Sequence, residues 1–186
     1  MKENPITIGF DDSTFELKTH VKKTQLIGVV CQGFKMVNVV RSEIIIDGSD
    51  VTEKLISLVK QNEKHVQYVL THTITFGGFN LINLNHVYDE LHKPIIAIND
   101  RKVDIDAVIK ALKKKFPDNY EKKIQYILDG GNLYHTDVKT AGGSSKIYFH
   151  SKGIEINEVD LLLQKISLDS KFPECIRLAH LIGRLF

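Results

Sequence analysis

Hydrophobic and polar positions alternate from the start of the chain. In Ile6-Thr7-Ile8-Gly9-Phe10-Asp11-Asp12-Ser13 the large apolar residues take every second place, the period of a strand with one buried face. Gly9 leaves room there for another backbone to come close. The polar stretch that follows, to Lys23, reads as a loop carrying part of a strand. Leu26–Cys31 and Met36–Ile46 are rich in β-formers and are joined by the short turn Gln32–Lys35, which predicts an antiparallel hairpin. The period then changes. Val51, Leu55, Leu58 and Val59 share a helical face, with Asp50 as N-cap and Glu53 completing a capping box. Val66–Thr71 is a short interior strand, expected to lie parallel to the first. A helix over about 83–91 and a buried strand over 94–98 follow. The stripe Ile105, Val108, Ile109, Leu112 and Phe116 marks another helix. Residues 121–146 are the least regular, with strands expected near Ile124–Leu128 and Ile147–His150. Two helices close the chain. One starts near Asn157 and turns Val159, Leu162, Leu163 and Ile166 inward; the other runs from Pro173 to Phe186. Three antiparallel strands followed by alternating helices and strands predict an α/β fold with a mixed sheet.

In such a sheet, ligands collect at the carboxyl ends of the parallel strands. Asp11 and Asp12 end the first strand, and strand alternation sends them to opposite sides unless the strand has already ended. His72 ends the strand expected beside it, and Asp47 ends the long antiparallel strand. Carboxylates and imidazoles gathered in one cleft suit a divalent cation, Mg²⁺ or Mn²⁺. Each residue alone has a plainer reading: a polar turn for the acids, a capping histidine for His72. Near the end of the chain Arg177, His180 and Arg184 share one helical face. There Arg177 either binds phosphate or salt-bridges internally. Lys110, Lys113, Lys114, Lys115, Lys122 and Lys123 form a basic band, which serves as a solvated face or as a surface that follows a nucleic-acid backbone. Gly77-Gly78 lacks the lysine and spacing of a P-loop.

Composition narrows this little. A chain of 186 residues is expected to form one domain over 1–186. A net charge of +2 makes no global field that would draw it to nucleic acid or membrane, so any basic surface is local. Cys31 and Cys175 lack metal-ligand spacing and point to a reducing, cytoplasmic setting. No apolar run is long enough to cross a bilayer, and the first residues lack a hydrophobic signal region.

Four stretches carry a resemblance. Ile8–Ser13, Ile46-Asp47-Gly48-Ser49-Asp50-Val51-Thr52-Glu53-Lys54-Leu55, Ile74–Asn80 and Pro173–Ile182 resemble, in order, the archaeal endonuclease dU family. That family is a distant relative of endonuclease V, whose fold is RNase H-like. The resemblance implies a metal-dependent endonuclease that hydrolyses a phosphodiester of damaged or single-stranded DNA near a deaminated base such as deoxyuridine. It implies Asp11 as the bridging metal ligand, Asp47 completing the carboxylate set, His72 as a weaker ligand or water-orienting group, and Asp12 as an alternative ligand. Phosphate contacts are expected from Lys35, Arg41, Lys113, Lys114 and Arg177. The chain departs from the endonuclease V pattern in several places. Asp47-Gly48 replaces Glu-Gly, and His72-Thr73 replaces Asp-Gly. Ile154 follows Gly153 where a histidine is expected, with His150 as a loose substitute. No Pro-Tyr-Ile-Pro wedge stands near Val39-Val40-Arg41-Ser42. These departures keep open an alternative: a weak or inactive module on the same fold that binds nucleic acid or protein.

Overall fold

A computed structural model describes residues 1–15 and 22–186; part of the expected 14–23 loop therefore lies outside the described residues. The first strand, β1 (Ile6–Asp12), pairs antiparallel with β2 (Lys23–Gln32), and β2 pairs antiparallel with β3 (Lys35–Ile45). On its other side β1 runs parallel to β4 (Tyr68–His72), as the sequence predicts, and β4 runs parallel to β7 (Ile95–Asn99). Beyond β7 lie β9 (Gly143–Lys152) and β8 (Tyr134–Thr140), both antiparallel. The sheet order is β3-β2-β1-β4-β7-β9-β8. The small hairpin β5 (Thr75–Phe76) and β6 (Asn80–Leu81) turns through Gly77 and Gly78, both at positive φ.

Alternation along the strands divides the core into two layers. Ile8 and Phe10 of β1 and Val69 of β4 bury under α1 (Val51–Lys60), α2 (Leu84–Leu91), α3 (Ile105–Lys115) and α4 (Tyr120–Asp129). Leu70, Ile96 and Ile98 point the other way, under α5 (Ile156–Ile166) and α6 (Glu174–Gly183). Gly9 faces this second layer. A Cβ on it would stand 2.6 Å from the Cys175 carbonyl carbon and from Ile176 N, so the missing side chain lets α6 lie directly on β1. Gly183 repeats the device at the far end of α6, where a Cβ would meet Asp12 O at 2.9 Å.

Three expectations are corrected. Ile124–Leu128 belongs to a helix: Tyr120, Ile124 and Ile127 lie at helical spacing and pack on the first layer, which outweighs the β-prone run Tyr126-Ile127-Leu128. The strand β8 was not expected, because its residues are polar and only Val138 is buried. Asp50 is not a side-chain cap for α1. Its carboxylate accepts from Ile45 N and Asn80 Nδ2, while Glu53 pairs with His86. The fully buried Asn80 caps α1 from a distance, its Oδ1 accepting from Val51 N.

Candidate metal centre and adjoining cavity

Asp11 follows Gly9 and Phe10 on β1, so alternation turns its side chain toward α6. His72 takes the corresponding place on β4, two residues past Leu70 in the same layer. His180 reaches in from α6. The Asp11 carboxylate lies 3.2 Å from His72 Nδ1 through Oδ1 and 2.8 Å from His180 Nδ1 through Oδ2. Donor atoms of the three residues all lie within 4.8 Å of one another. Asp11 is 3% exposed, and its Oδ1 also accepts from Asp12 N. The His72 ring stands edge-on to Phe172 and His180, which fixes its plane. Burial alone would push His72 down; the hydrogen bond and charge of Asp11, with Asp100 and Asp12 behind it, hold it above the usual histidine value.

Asp12 points to the opposite side, where its Oδ2 accepts from Gly77 N. Burial raises its carboxyl to about 6, helped by the charge of Asp11 and opposed by the Gly77 N–H. Asp47 is a left-handed residue at the end of β3. Its Oδ1 accepts from Phe79 N, its Oδ2 pairs with Lys115, and its own N–H donates to Gly77 O. Its carboxylate is therefore not in the Asp11–His72–His180 group. Asp12 and Asp47 instead grip the same turn, Gly77–Phe79, from two sides. Lys123, from the expected basic band, is buried beneath that turn. It donates to the carbonyls of Asp47, Gly48 and Phe79 and packs on the Phe116 ring, and burial pushes its ammonium below the usual lysine value.

The other expected nucleic-acid contacts are scattered. Lys35 sits opposite Gln32, which pairs with Ile6 at the far end of β1 from Asp11. Arg41 lies over the Phe186 ring on β3. Lys113 and Lys114 stand in the last turn of α3, where lysines complement the helix dipole. Arg177 forks onto Glu174 at 2.8 and 2.6 Å, the internal salt bridge that the sequence left open. The sequence reading missed His180 as a metal donor. It placed His180 on a face with Arg177 and Arg184 but did not connect that face with the close approach at Gly9.

The turn after β4 separates two hollows. A shallow pocket is lined by Asp11, Asp12, Phe15, His72, Thr73, Thr75 and Gly78. On the other side of Thr73, Thr75 and Gly78 lies a cavity of about 430 Å³, walled by Ile74, Val103, Ile105, Val108 and Ile127. Asn99 and His150 face into it, 5% and 3% exposed. Neither Asn99 Nδ2 nor His150 Nδ1 has a hydrogen-bond partner among the described residues. Burial pushes the His150 imidazole down, against the backbone groups of Asn132, Gly131 and Gly130, so it is neutral at pH 7.

The family model described as Endonuclease dU matches residues 6–186. The chain belongs to the endonuclease dU family. A UPF0215 protein of Pyrococcus horikoshii is 36% identical over 98% of this chain and 92% of its own length. A crystal structure of an Archaeoglobus fulgidus protein of unknown function superposes with a TM-score of 0.83 at 28% identity, covering 96% of both chains. Ciona intestinalis endonuclease V, solved with a 24mer DNA containing an inosine followed by a ribo-adenosine, superposes with a TM-score of 0.60 at 13% identity. That match covers 95% of this chain and 83% of the other. This member of the family thus has the mixed α/β fold of endonuclease V. No helix among the described residues is long and apolar enough to cross a membrane.

Proposed function

We propose that this endonuclease dU family member is a divalent-metal-dependent endonuclease that hydrolyses a DNA phosphodiester beside a deaminated base, with deoxyuridine as the base. One observation carries the reading: Asp11, His72 and His180 converge at the carboxyl ends of parallel β1 and β4, beside an open pocket. One carboxylate and two imidazole nitrogens fit a borderline cation such as Mn²⁺ better than Mg²⁺, which prefers oxygen ligands. Such an ion would stabilise charge on a phosphoryl oxygen and lower the pKa of a water.

The chain's own residues supply the rest. Asp11 and the two histidines hold the ion, and Phe172 keeps His72 in plane. Asp12 and Asp47 are positioning residues that fix the Gly77–Phe79 turn between the centre and the cavity. The cavity receives the base once it leaves the stack. The Asn99 amide carries a donor and an acceptor side by side, which matches the adjacent C=O and N–H of uracil. Lys115, beside Phe79 at the cavity wall, supplies positive charge for the backbone.

Incision of a uracil-containing strand by wild type and Asp11→Ala, in Mn²⁺, Mg²⁺ or chelator, tests this. Mn²⁺-dependent cutting by wild type that is lost in the variant supports it. Equal cutting by both proteins overturns it. Tight DNA binding with no cutting in any metal favours the second reading, a binding module. The observation behind that reading is the single carboxylate of the centre, which leaves half of a dication's charge unopposed.

A further inference from the structure

A sheet edge exposes unpaired main-chain groups, and natural proteins cover or disrupt it. The edge β8 is covered: Gln164 of α5 donates to Asp137 O and accepts from Lys139 N. The opposite edge, β3, has two outward N–H groups held by side chains of its own chain and is disrupted in its first part. There the register with β2 shifts, and Val37 has no residue opposite. From Asn38 to Ile45 the pairing is regular. Within this segment Val39 N donates to Asn38 Oδ1 and Ile45 N to Asp50 Oδ1, so both N–H groups point away from β2. Alternation turns the main chain of Arg41 and Glu43 the same way. Val39, Arg41, Glu43 and Ile45 also share a side-chain face. Val39 and Ile45 are 40% and 47% exposed there, because α6 packs on β1 and β2.

We propose that β3 pairs antiparallel with β3 of a second copy of this chain, about a twofold axis at Ser42. In this register each Arg41 stands opposite Glu43 of the other copy, and the two residues exchange both main-chain hydrogen bonds. Each Val39 stands opposite Ile45. Every charge meets its opposite, and every exposed aliphatic side chain meets another. The neighbouring registers of the same parity are repelled. A shift one way places Arg41 against Arg41, and a shift the other way places Glu43 against Glu43. The segment therefore specifies its own alignment. The two metal centres end on opposite margins of the joined sheet and both stay open. Self-complementarity is the reason to name a second copy rather than a foreign strand.

Sedimentation velocity at low salt, on the full chain, tests this independently of any nuclease activity. Wild type is expected to be a dimer. Arg41→Glu and Glu43→Arg each place like charges opposite one another twice and weaken the dimer at least about tenfold. The double variant Arg41→Glu/Glu43→Arg restores it. Both side chains are exposed, so folding is unaffected, and thermal midpoints verify this. Glu43→Arg also removes the Lys23 ion pair, and Arg41→Glu removes the contact with the Phe186 ring, so the two single variants have different side effects. A wild type that is monomeric at about 100 μM overturns the proposal. So does a single variant that keeps the wild-type dimer, or a double variant that stays apart.

Discussion

His180 Nδ1 lies 2.8 Å from Asp11 Oδ2 across a separation of 169 residues. The contact joins the first strand to the last helix and makes a strand end into a three-donor group. His180→Ala is expected to weaken Mn²⁺ binding by at least about tenfold, since coordination falls to two donors. Its side chain is 45% exposed, so the thermal midpoint should stay within a few degrees of wild type. Titration calorimetry with Mn²⁺ alone checks the first expectation and scanning calorimetry the second.

Gly9→Ala tests how α6 is seated. The new methyl would meet the backbone of Cys175 and Ile176, which cannot turn aside as a flexible side chain could. Overpacking of this kind costs roughly 1–3 kcal/mol. Because α6 must lift, His180 also leaves Asp11. Urea unfolding should show the loss of stability and Mn²⁺ titration the loss of affinity; a stable variant with full affinity would contradict the packing described.

Lys123→Met keeps most of the aliphatic stem and removes the ammonium that ties down the Asp47, Gly48 and Phe79 carbonyls. The half-buried carbonyls are then left without their donor, at a cost of about 1 kcal/mol. Amide hydrogen exchange should rise at Gly77–Phe79 if the lysine holds that turn, and stay unchanged if it does not.

His150 gives the protein an acid sensitivity of definite sign. Burial lowers its folded-state pKa below the unfolded value, so the unfolded chain takes up the proton first. Stability is kept above the unfolded pKa of about 6.5 and falls as pH drops through the folded value. His150→Phe should flatten the stability profile below about pH 6.5. Urea midpoints at a neutral and an acidic pH, for both proteins, measure this.

Asn99→Ala removes the only amide that faces the cavity from β7. Under the proposed function, preference for uracil over an abasic site should drop about tenfold in binding, while affinity for the backbone stays the same. Fluorescence anisotropy on the two strands without metal separates the two effects.

Much of the sheet was legible because β1 alternates and β2, β3, β4 and β7 are runs rich in β-forming residues. The polar edge strand β8 carries no such signal. The helix α4 hid its period behind three adjacent β-prone residues. At the site, Asp11 and His72 were legible as ends of parallel neighbours. His180 was not, since its partnership with β1 depends on how closely two backbones pass, and periodicity carries no information about that. Asp47 was placed with the ligands by the resemblance to endonuclease V, its position at the end of a strand leaving a plain turn open. The groups that divert it, the Lys115 ammonium and the Phe79 main-chain N–H, come from segments whose placement no local pattern reveals.

The order in which the donors are synthesised has its own consequence. Asp11 and His72 leave the ribosome long before Glu174–Gly183, so a growing chain holds only two of the three groups beside a sheet whose α6 face is still bare. Under the proposed function, the donor set is therefore completed in one late step, when the terminal helix docks on the glycine notch of the opening strand. A product terminated before Glu174–Gly183 would keep Asp11 and His72 and lack the third donor.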